Sequence, residues 1–472
     1  MTPEDTSECR CDPLKIIVQG LLSETLNCRH GIDDSNNFYM FYRSSVARNK
    51  VRDKKLQFRI LQETFKSAQE WVDEIRSNNG KSVSDDDENF ERQLENVVKN
   101  TEREGGRLIS NYALLAISPD PAGNIMVTLD PYQMTQAFVS WIITGSTSGS
   151  VKSDCHQMYP YNIEFGMRST SKNGNSTQLL EYRKVLLAQT LSVVAKMIGH
   201  TVTDGYTYIT DDKISENAML VRASPIAKAT DQFRYPEIVM QLSIGNISVT
   251  RNSETQINLN KVLNERLSAI KEISESRRLA TLGTSSWTTS VQNLATATLH
   301  YDILSRPIEV EIQIPVLETQ RMNHDALVIM YNYSRVLSIL RRFDEQVQIG
   351  DYPNLPSVTD IDFKSICTKE EEIQLLQTIM EWPRIRDIVI NFTRFEINVS
   401  IVAKFLLALA KAFNGFYFEI VVLVPTNAPH NFPGMMARIY LMKTICSIFE
   451  NCFDILQINH SETPLLCDAH KL

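Results

Sequence analysis

Hydrophobic and polar positions change period three times along this chain. Near the C-terminus the pattern is helical. Residues 402–418 are apolar almost all round, and their only polar stripe runs through Lys404, Lys411 and Gly415, which 3.6 residues per turn places on one side. That predicts a central bundle helix. Residues 435–456 read as its amphipathic partner, with Lys443, Ser447, Glu450 and Asp454 on one face. Leu441, Ile445, Ile448, Phe449, Cys452 and Ile455 lie on the other, and Pro433 marks the entry. From Ala326 to Arg342 a third helix aligns Tyr331, Arg335, Ser338 and Arg342.

Upstream the pattern mixes strands and helices. Tyr161–Phe165 is strand-like, a helix is expected over 180–198, and further strands over 247–257. Closer to the N-terminus, Ile125–Leu129 reads as a strand followed by a helix over 133–143, before the Gly/Ser-rich segment 145–153 closes a first domain. Residues 38–76 fit a helical stripe through Val51, Leu56, Ile60, Phe65 and Trp71. Three domains follow: an α+β region over 1–150, an α/β core over 151–324 and an all-α region over 325–472.

Composition agrees with a folded, multidomain chain. Its 472 residues are 43% hydrophobic and 22% charged, which excludes global disorder and low-complexity folds. Charge changes the picture more. With 48 Lys+Arg against 56 Asp+Glu the formal net charge is -8, so any nucleic acid must be held by a local patch and not by the far field. The strongest basic run is Arg43, Arg48, Lys50, Arg52, Lys54, Lys55 and Arg59, opposed only by Asp53. It reads equally as a solvated helix face and as a phosphate-contacting one.

Eight scattered cysteines without paired C-x-x-C spacing suit reduced thiols and a cytoplasmic location, and no leader segment is expected. Cys9, Cys11, Cys28 and His30 could supply four zinc ligands, but their spacing is not that of a common structural site, so no metal or other cofactor is expected. Lys404 and Lys411 interrupt the most apolar stretch, 395–425, so neither a membrane span nor a membrane partner is expected. No nucleophile elbow, phosphate-binding glycine loop or H-E-x-x-H helix is present; GSTSG at 145–149 has Thr147 where an elbow needs serine.

The segments YNYSRVLSILRRF (331–343), LALAKAFNGFY (407–417) and MARIYLMKTICSIFENCFDILQI (436–458) resemble, in order and at similar spacing, the DALR anticodon-binding domain that closes class I arginyl-tRNA synthetases. The resemblance implies a tRNA surface at Tyr331, Arg335, Arg342, Asn414, Phe416, Tyr417 and Arg438, with Phe416 and Tyr417 also fitting bundle packing. Arg43, Arg48, Lys54 and Lys55 are the candidates for contacts elsewhere on the RNA or with a partner.

The middle domain resembles a class I synthetase core of the Rossmann type, YNIEFG (161–166) corresponding to the strand that leads into its H-x-G-H signature. In this alignment Gln178 and Glu181 replace the histidines and Leu180 replaces the glycine. A carboxylate there would repel ATP phosphates, and a leucine would fill the space beside the adenine. The second, lysine-rich signature loop should fall at 247–251 (ISVTR), which has no lysine. The segment 123–142 is similar, more weakly, to the end of the synthetases' N-terminal domain.

A pseudo-synthetase without either signature and with its bundle kept resembles the metazoan DALR anticodon-binding domain-containing proteins. That resemblance implies an adaptor which recognises arginine tRNAs and delivers them to a 3-methylcytidine tRNA methyltransferase acting on the anticodon loop, with no DNA partner. A divergent active arginyl-tRNA synthetase and a protein-binding scaffold that has lost tRNA binding are the alternatives.

Overall fold

The structure is a computed structural model, and it describes residues 42–44, 56–60, 114–119, 125–146, 161–167, 175–203, 207–208, 218–225, 237–250, 259–276, 285–315, 324–391 and 396–460. The chain divides into two compact units. One is built from Met1–Met158, Gln346–Arg384 and Gly415–Thr444, the other from Tyr159–Glu345, Ile385–Asn414 and Ile445–Leu472.

The first unit carries an antiparallel sheet of β1 (Tyr42–Ser44), β2 (Leu56–Ile60), β3 (Leu114–Pro119) and β4 (Ile125–Leu129), in the order β1-β2-β4-β3. Phe58 and Ile60 point into the core while Arg59 between them is exposed, the alternation of a half-buried strand. The helix expected across 38–76 is therefore not formed at 42–44 or 56–60. Leu56, Phe58 and Ile60 satisfy a period of two, and a helical stripe drawn through Leu56 and Ile60 skips Phe58.

After β4 comes α1 (Pro131–Ser146). Asp130 caps it, its carboxylate accepting from the Tyr132 and Gln133 amides at 2.8 and 3.3 Å, with Pro131 in the first turn where no amide is needed. Helix α1 packs on short 3-10 turns at Val358–Asp360 and Phe363–Ile366. There Lys364 lies 5.1 Å from the centre of the Tyr132 ring, and the Thr135 hydroxyl is 3.8 Å from Cys367 Sγ.

The second unit opens with a β-α-β element: β5 (Tyr161–Met167), α2 (Asn175–Met197) and β6 (Thr201–Val202), with β6 parallel to β5. β7 (Thr207–Tyr208) also runs parallel to β5, whereas β8 (Ala218–Pro225) and β9 (Ile238–Ser243) continue the sheet antiparallel. The core sheet is thus mixed. A second parallel ladder joins β10 (Ile247–Thr250) to β11 (Ile312–Pro315), and the chain between them forms α3 (Leu259–Ser276) and α4 (Ser285–Leu304). The 6% exposed Arg266 bridges these helices to Asp302 at 2.6 Å.

Two contacts explain why α2 sits as it does. Arg183 is buried, and its guanidinium donates to the carbonyls of Gly245, Val310 (2.9 Å) and Pro307 (3.0 Å). Gly245 is required beside it, because a Cβ there would collide with the Val310 carbonyl. At the end of α2, Gly199 takes φ 95° and lets the His200 amide reach the Ala195 carbonyl at 2.9 Å, a Schellman closure.

The remaining elements are α5 (Asp325–Ile349), α6 (Glu370–Met380), the single turn α7 (Trp382–Asp387), the two-residue strands β12 (Ile390–Asn391) and β13 (Glu396–Ile397), α8 (Ser400–Glu419) and α9 (Phe432–Ile455). Helix α9 begins at Phe432, so Pro433 occupies its first turn and does not stand in a preceding loop. Helix α8 is long and apolar enough to cross a membrane by length and composition. Its apolar side is nevertheless core: Val402, Leu406, Leu409, Phe413 and Phe416 are fully buried. As the spacing predicts, Lys404, Lys411 and Gly415 are exposed.

Buried histidines make the fold acid-sensitive. Burial lowers His200 to about 4, and its Nδ1 accepts from the Tyr161 amide at 3.3 Å, a bond that protonation would break. Burial also lowers His300, whose Nδ1 must donate to the Gln457 carbonyl (2.7 Å), leaving Nε2 to accept from the Tyr182 hydroxyl (2.6 Å). That bond helps hold Gln457 in its left-handed conformation, φ 54°. Both imidazoles are depressed in the folded state, so the stability they support is present above about pH 6.5 and lost as pH falls below it. His460 is raised, mainly by its hydrogen bond to Asp454, and acts in the opposite sense above that pH. Urea unfolding is expected to show lower stability at pH 5.5 than at pH 7, with His200 accounting for about 1 kcal/mol of the loss, a share that His200→Gln should remove.

Candidate nucleic-acid interface

Helix α5 supplies the clearest cluster. Tyr331 is 39% exposed, and the Arg335 guanidinium stacks on its ring with Cζ 4.2 Å from the centroid. The spacing i, i+4 brings the two side chains together on one face of the helix. Arg335 also donates to the Asn414 side-chain oxygen of α8 at 2.7 Å, to that of Asn332 at 3.3 Å and to the Tyr331 hydroxyl at 3.0 Å. These three acceptors are neutral, and together they fix the orientation of the guanidinium. A ring, a guanidinium plane and a carboxamide fixed together form a surface suited to an unpaired base and its phosphate.

Arg342 is half-buried further along α5, where Ser338, expected on the same face, turns inward and is buried. On α8 the exposed Lys404 and Lys411 stand with Ala408 and Gly415 between and beyond them, and a Cβ at Gly415 would meet nothing within 4 Å. The side chains of Lys404 and Lys411 add cationic charge to an uncrowded helix face.

Two other expected contacts are engaged in the interior. Phe416 is completely buried and packs the interior. Phe418, 59% exposed, is the aromatic of this segment that reaches solvent, at the end of α8 and one turn beyond the Asn414 that holds Arg335. Tyr417 is half-buried, edge-on to Phe418 with ring centres 6.3 Å apart. Arg438 is engaged internally: its Nη2 and Nε lie 3.2 and 3.4 Å from a carboxylate oxygen of the fully buried Glu372. The other carboxylate oxygen of Glu372 accepts from the Thr368 amide, the Thr368 hydroxyl and the Lys369 amide, at 3.1, 3.0 and 3.1 Å, where α6 begins. Arg438 is thus half-buried and drawn into a capping network, which gives it a structural role.

Of the upstream basic residues, Arg43 lies on strand β1, and Arg48, Lys54 and Lys55 fall outside the described residues. So do the cysteine and histidine candidates near the N-terminus; among the described residues no group of acidic, His or Cys side chains could hold a metal. The described thiols are passive: burial pushes Cys367 up to about 12 and also raises Cys446 and Cys452.

At the synthetase-like positions, Gln178 is exposed, Leu180 is buried, and Glu181 is half-buried with an oxygen 3.7 Å from the Nζ of the buried Lys184. All three sit inside α2, which starts three residues ahead of Gln178. Strand β10 occupies Ile247–Thr250, in keeping with the strands expected over 247–257, at the place where the family's lysine-rich loop would align.

These elements define a class of protein. Residues 329–463, in the C-terminal helical region, match the family described as the DALR anticodon binding domain. The chain as a whole takes the fold of arginyl-tRNA synthetase, aligning with the enzyme from Plasmodium falciparum at a TM-score of 0.56 over 97% of this chain and 99% of that one, at 12% identity.

Among proteins of known name, the chain is 22% identical over 214 residues to DALR anticodon-binding domain-containing protein 3 of Danio rerio, covering 43% of this chain and 38% of that protein. It is 28% identical over 167 residues to the arginine–tRNA ligase of Borreliella burgdorferi, covering 35% of this chain and 26% of the ligase. The aligned stretches therefore span well under half of either relative.

Proposed function

We propose that this chain is a cytoplasmic, non-catalytic adaptor that binds arginine tRNAs through its DALR domain and hands them to a 3-methylcytidine tRNA methyltransferase acting on the anticodon loop. The observation that carries the tRNA part is the match of residues 329–463 to an anticodon-binding domain, and the Tyr331–Arg335–Asn414 cluster lies within it. The likeness to a DALR anticodon-binding domain-containing protein supports an adaptor over a ligase. So does the use of the synthetase-like helix for packing: Leu180, Arg183 and Lys184 are all buried in the protein's own interior. Glu181 adds a carboxylate where ATP phosphates would need positive charge.

Arg335→Ala combined with Arg342→Ala is expected to weaken binding of arginine tRNAs at least tenfold, measured by filter binding across a salt series. If both arginines contact phosphate, the slope of log affinity against log salt falls by roughly 0.7 to 0.9 per contact. If Arg335 reads a base, the preference for arginine tRNAs over others narrows instead. Unchanged binding in the double variant would remove this face as the tRNA surface.

The whole-chain fold match favours one second reading, a divergent active synthetase. Arginine-dependent pyrophosphate exchange by the pure protein with tRNA present would establish it. The adaptor reading expects none, and expects methylation by the methyltransferase to increase when the chain is added.

A further inference from the structure

The end of helix α8 exposes apolar side chains that the tRNA reading does not use. Phe418 is 59% exposed and Val421, two residues past the end of the helix, is 68% exposed. Ile349, 70% exposed at the end of α5, belongs to the same region of the unit. The chain just beyond Ile349 is fastened to the chain just beyond Val421 by the Tyr352 hydroxyl, which donates to the Val424 carbonyl at 2.6 Å. These are not flexible ends, since the Asp351 amide closes α5 on the Gln346 carbonyl at 2.9 Å with Gly350 at φ 92°.

The charge nearest these side chains is mainly negative. Lys369 donates from Nζ to the Glu419 carbonyl at 3.2 Å, which brings the start of α6, with Glu370 and Glu371, to the end of α8. Glu419 and Asp351 are exposed beside Val421 and Ile349 in sequence. Among the described residues, Glu370, Glu371, Glu419 and Asp351 thus accompany Phe418, Val421 and Ile349, with Lys369 between them. A polyanion would meet repulsion here, and each phosphate brought close would raise the cost. Large apolar side chains left in water within an acidic rim match the anatomy of a protein-binding surface, with apolar anchors inside and charge that selects the partner outside.

We propose that Phe418, Val421 and Ile349 form a docking surface for a protein segment of opposite character, one that presents apolar side chains flanked by Lys or Arg. It is separate in chemistry from the tRNA surface on α5, and it would let a protein and a tRNA be held at once. It does not depend on which protein the adaptor serves.

The test uses the full chain and two probes. The first is a synthetic amphipathic peptide of leucine and lysine, read by fluorescence anisotropy. The second is arginine tRNA. Phe418→Ser with Val421→Ser is expected to lower peptide affinity at least tenfold while tRNA affinity stays within twofold. Glu370→Lys with Glu371→Lys should also weaken the peptide severalfold, more at low salt than at high. Because the substituted side chains are exposed, thermal midpoints should be unchanged, and a lowered midpoint in one pair leaves the other to decide. Absence of peptide binding by the unmodified chain, or peptide binding that survives both pairs, overturns the proposal. So does a loss of tRNA affinity in Phe418→Ser with Val421→Ser, which would make this an RNA surface. The purified methyltransferase as a third probe separates the two readings. If the peptide result holds and the methyltransferase binds both variants normally or not at all, the docking surface stands and the choice of partner fails.

Discussion

Glu372→Ala is expected to lose roughly 3 to 5 kcal/mol of stability, the cost of leaving a buried charge without its counterpart. The carboxylate of Glu372 is fully buried and serves Arg438 together with two amides and a hydroxyl at the start of α6. Removing it strands all four donors at once. Glu372→Gln should lose less, because its carbonyl oxygen can still accept from part of this set, though it cannot neutralise Arg438. Arg438→Met should fall between the two, since the Thr368 and Lys369 donors still compensate the carboxylate. Urea unfolding measures all three, and the order Ala, Met, Gln in decreasing loss is the specific expectation. At a temperature where each variant is folded, tRNA affinity should not move for Arg438→Met. A large loss there would return Arg438 to the RNA surface.

The second large effect is expected at Arg183. Arg183→Met keeps much of the side-chain volume but leaves the carbonyls of Gly245, Pro307 and Val310 without their donor. Three deprived acceptors at about 1 kcal/mol or more each predict a loss of roughly 3 kcal/mol. Burial draws the Arg183 guanidinium down to about 10, with Glu309 opposing the shift, so it remains charged at neutral pH. Arg183→Lys should recover only part of the loss, because one ammonium cannot span the three acceptors in the plane that a guanidinium reaches. Gly245→Ala should be damaging for a separate reason, the collision with Val310, and combining it with Arg183→Met should be less than additive because both act on the same turn. Full additivity would show that the two residues act independently.

Much of the helical region was legible in the pattern of residues. The stripes on α8 and α9 have long repeats, and Lys404, Lys411 and Gly415 emerged on the exposed side as a period of 3.6 requires. Segment 38–76 shows the opposite case. Strand β2 is five residues long, and over so short a window apolar residues at 56 and 60 satisfy both a helix and a strand. Only pairing with β1 and β4, which lie at a distance in sequence, resolves the choice. The site was legible in the same proportion. Tyr331 and Arg335 lie one turn apart, so their contact follows from spacing, and a partner on another helix, Asn414, does not. For Phe416, which fitted both stacking and bundle packing, and for Arg438, residue type is silent on direction: an aromatic ring and an arginine each serve cores and surfaces, and burial decides.

The ladder of contacts between α1 and the turns at 358–366 has a consequence for how the chain is made. Tyr132 and Thr135 meet Lys364 and Cys367 only after more than two hundred further residues have left the ribosome. At roughly 5 to 20 residues per second, that is a wait of about ten to fifty seconds, during which the underside of α1 and its sheet has no native cover. The chain therefore carries this surface without those contacts through a long interval of synthesis, and trimming it to its C-terminal helical domain would remove α1 from the turns it covers.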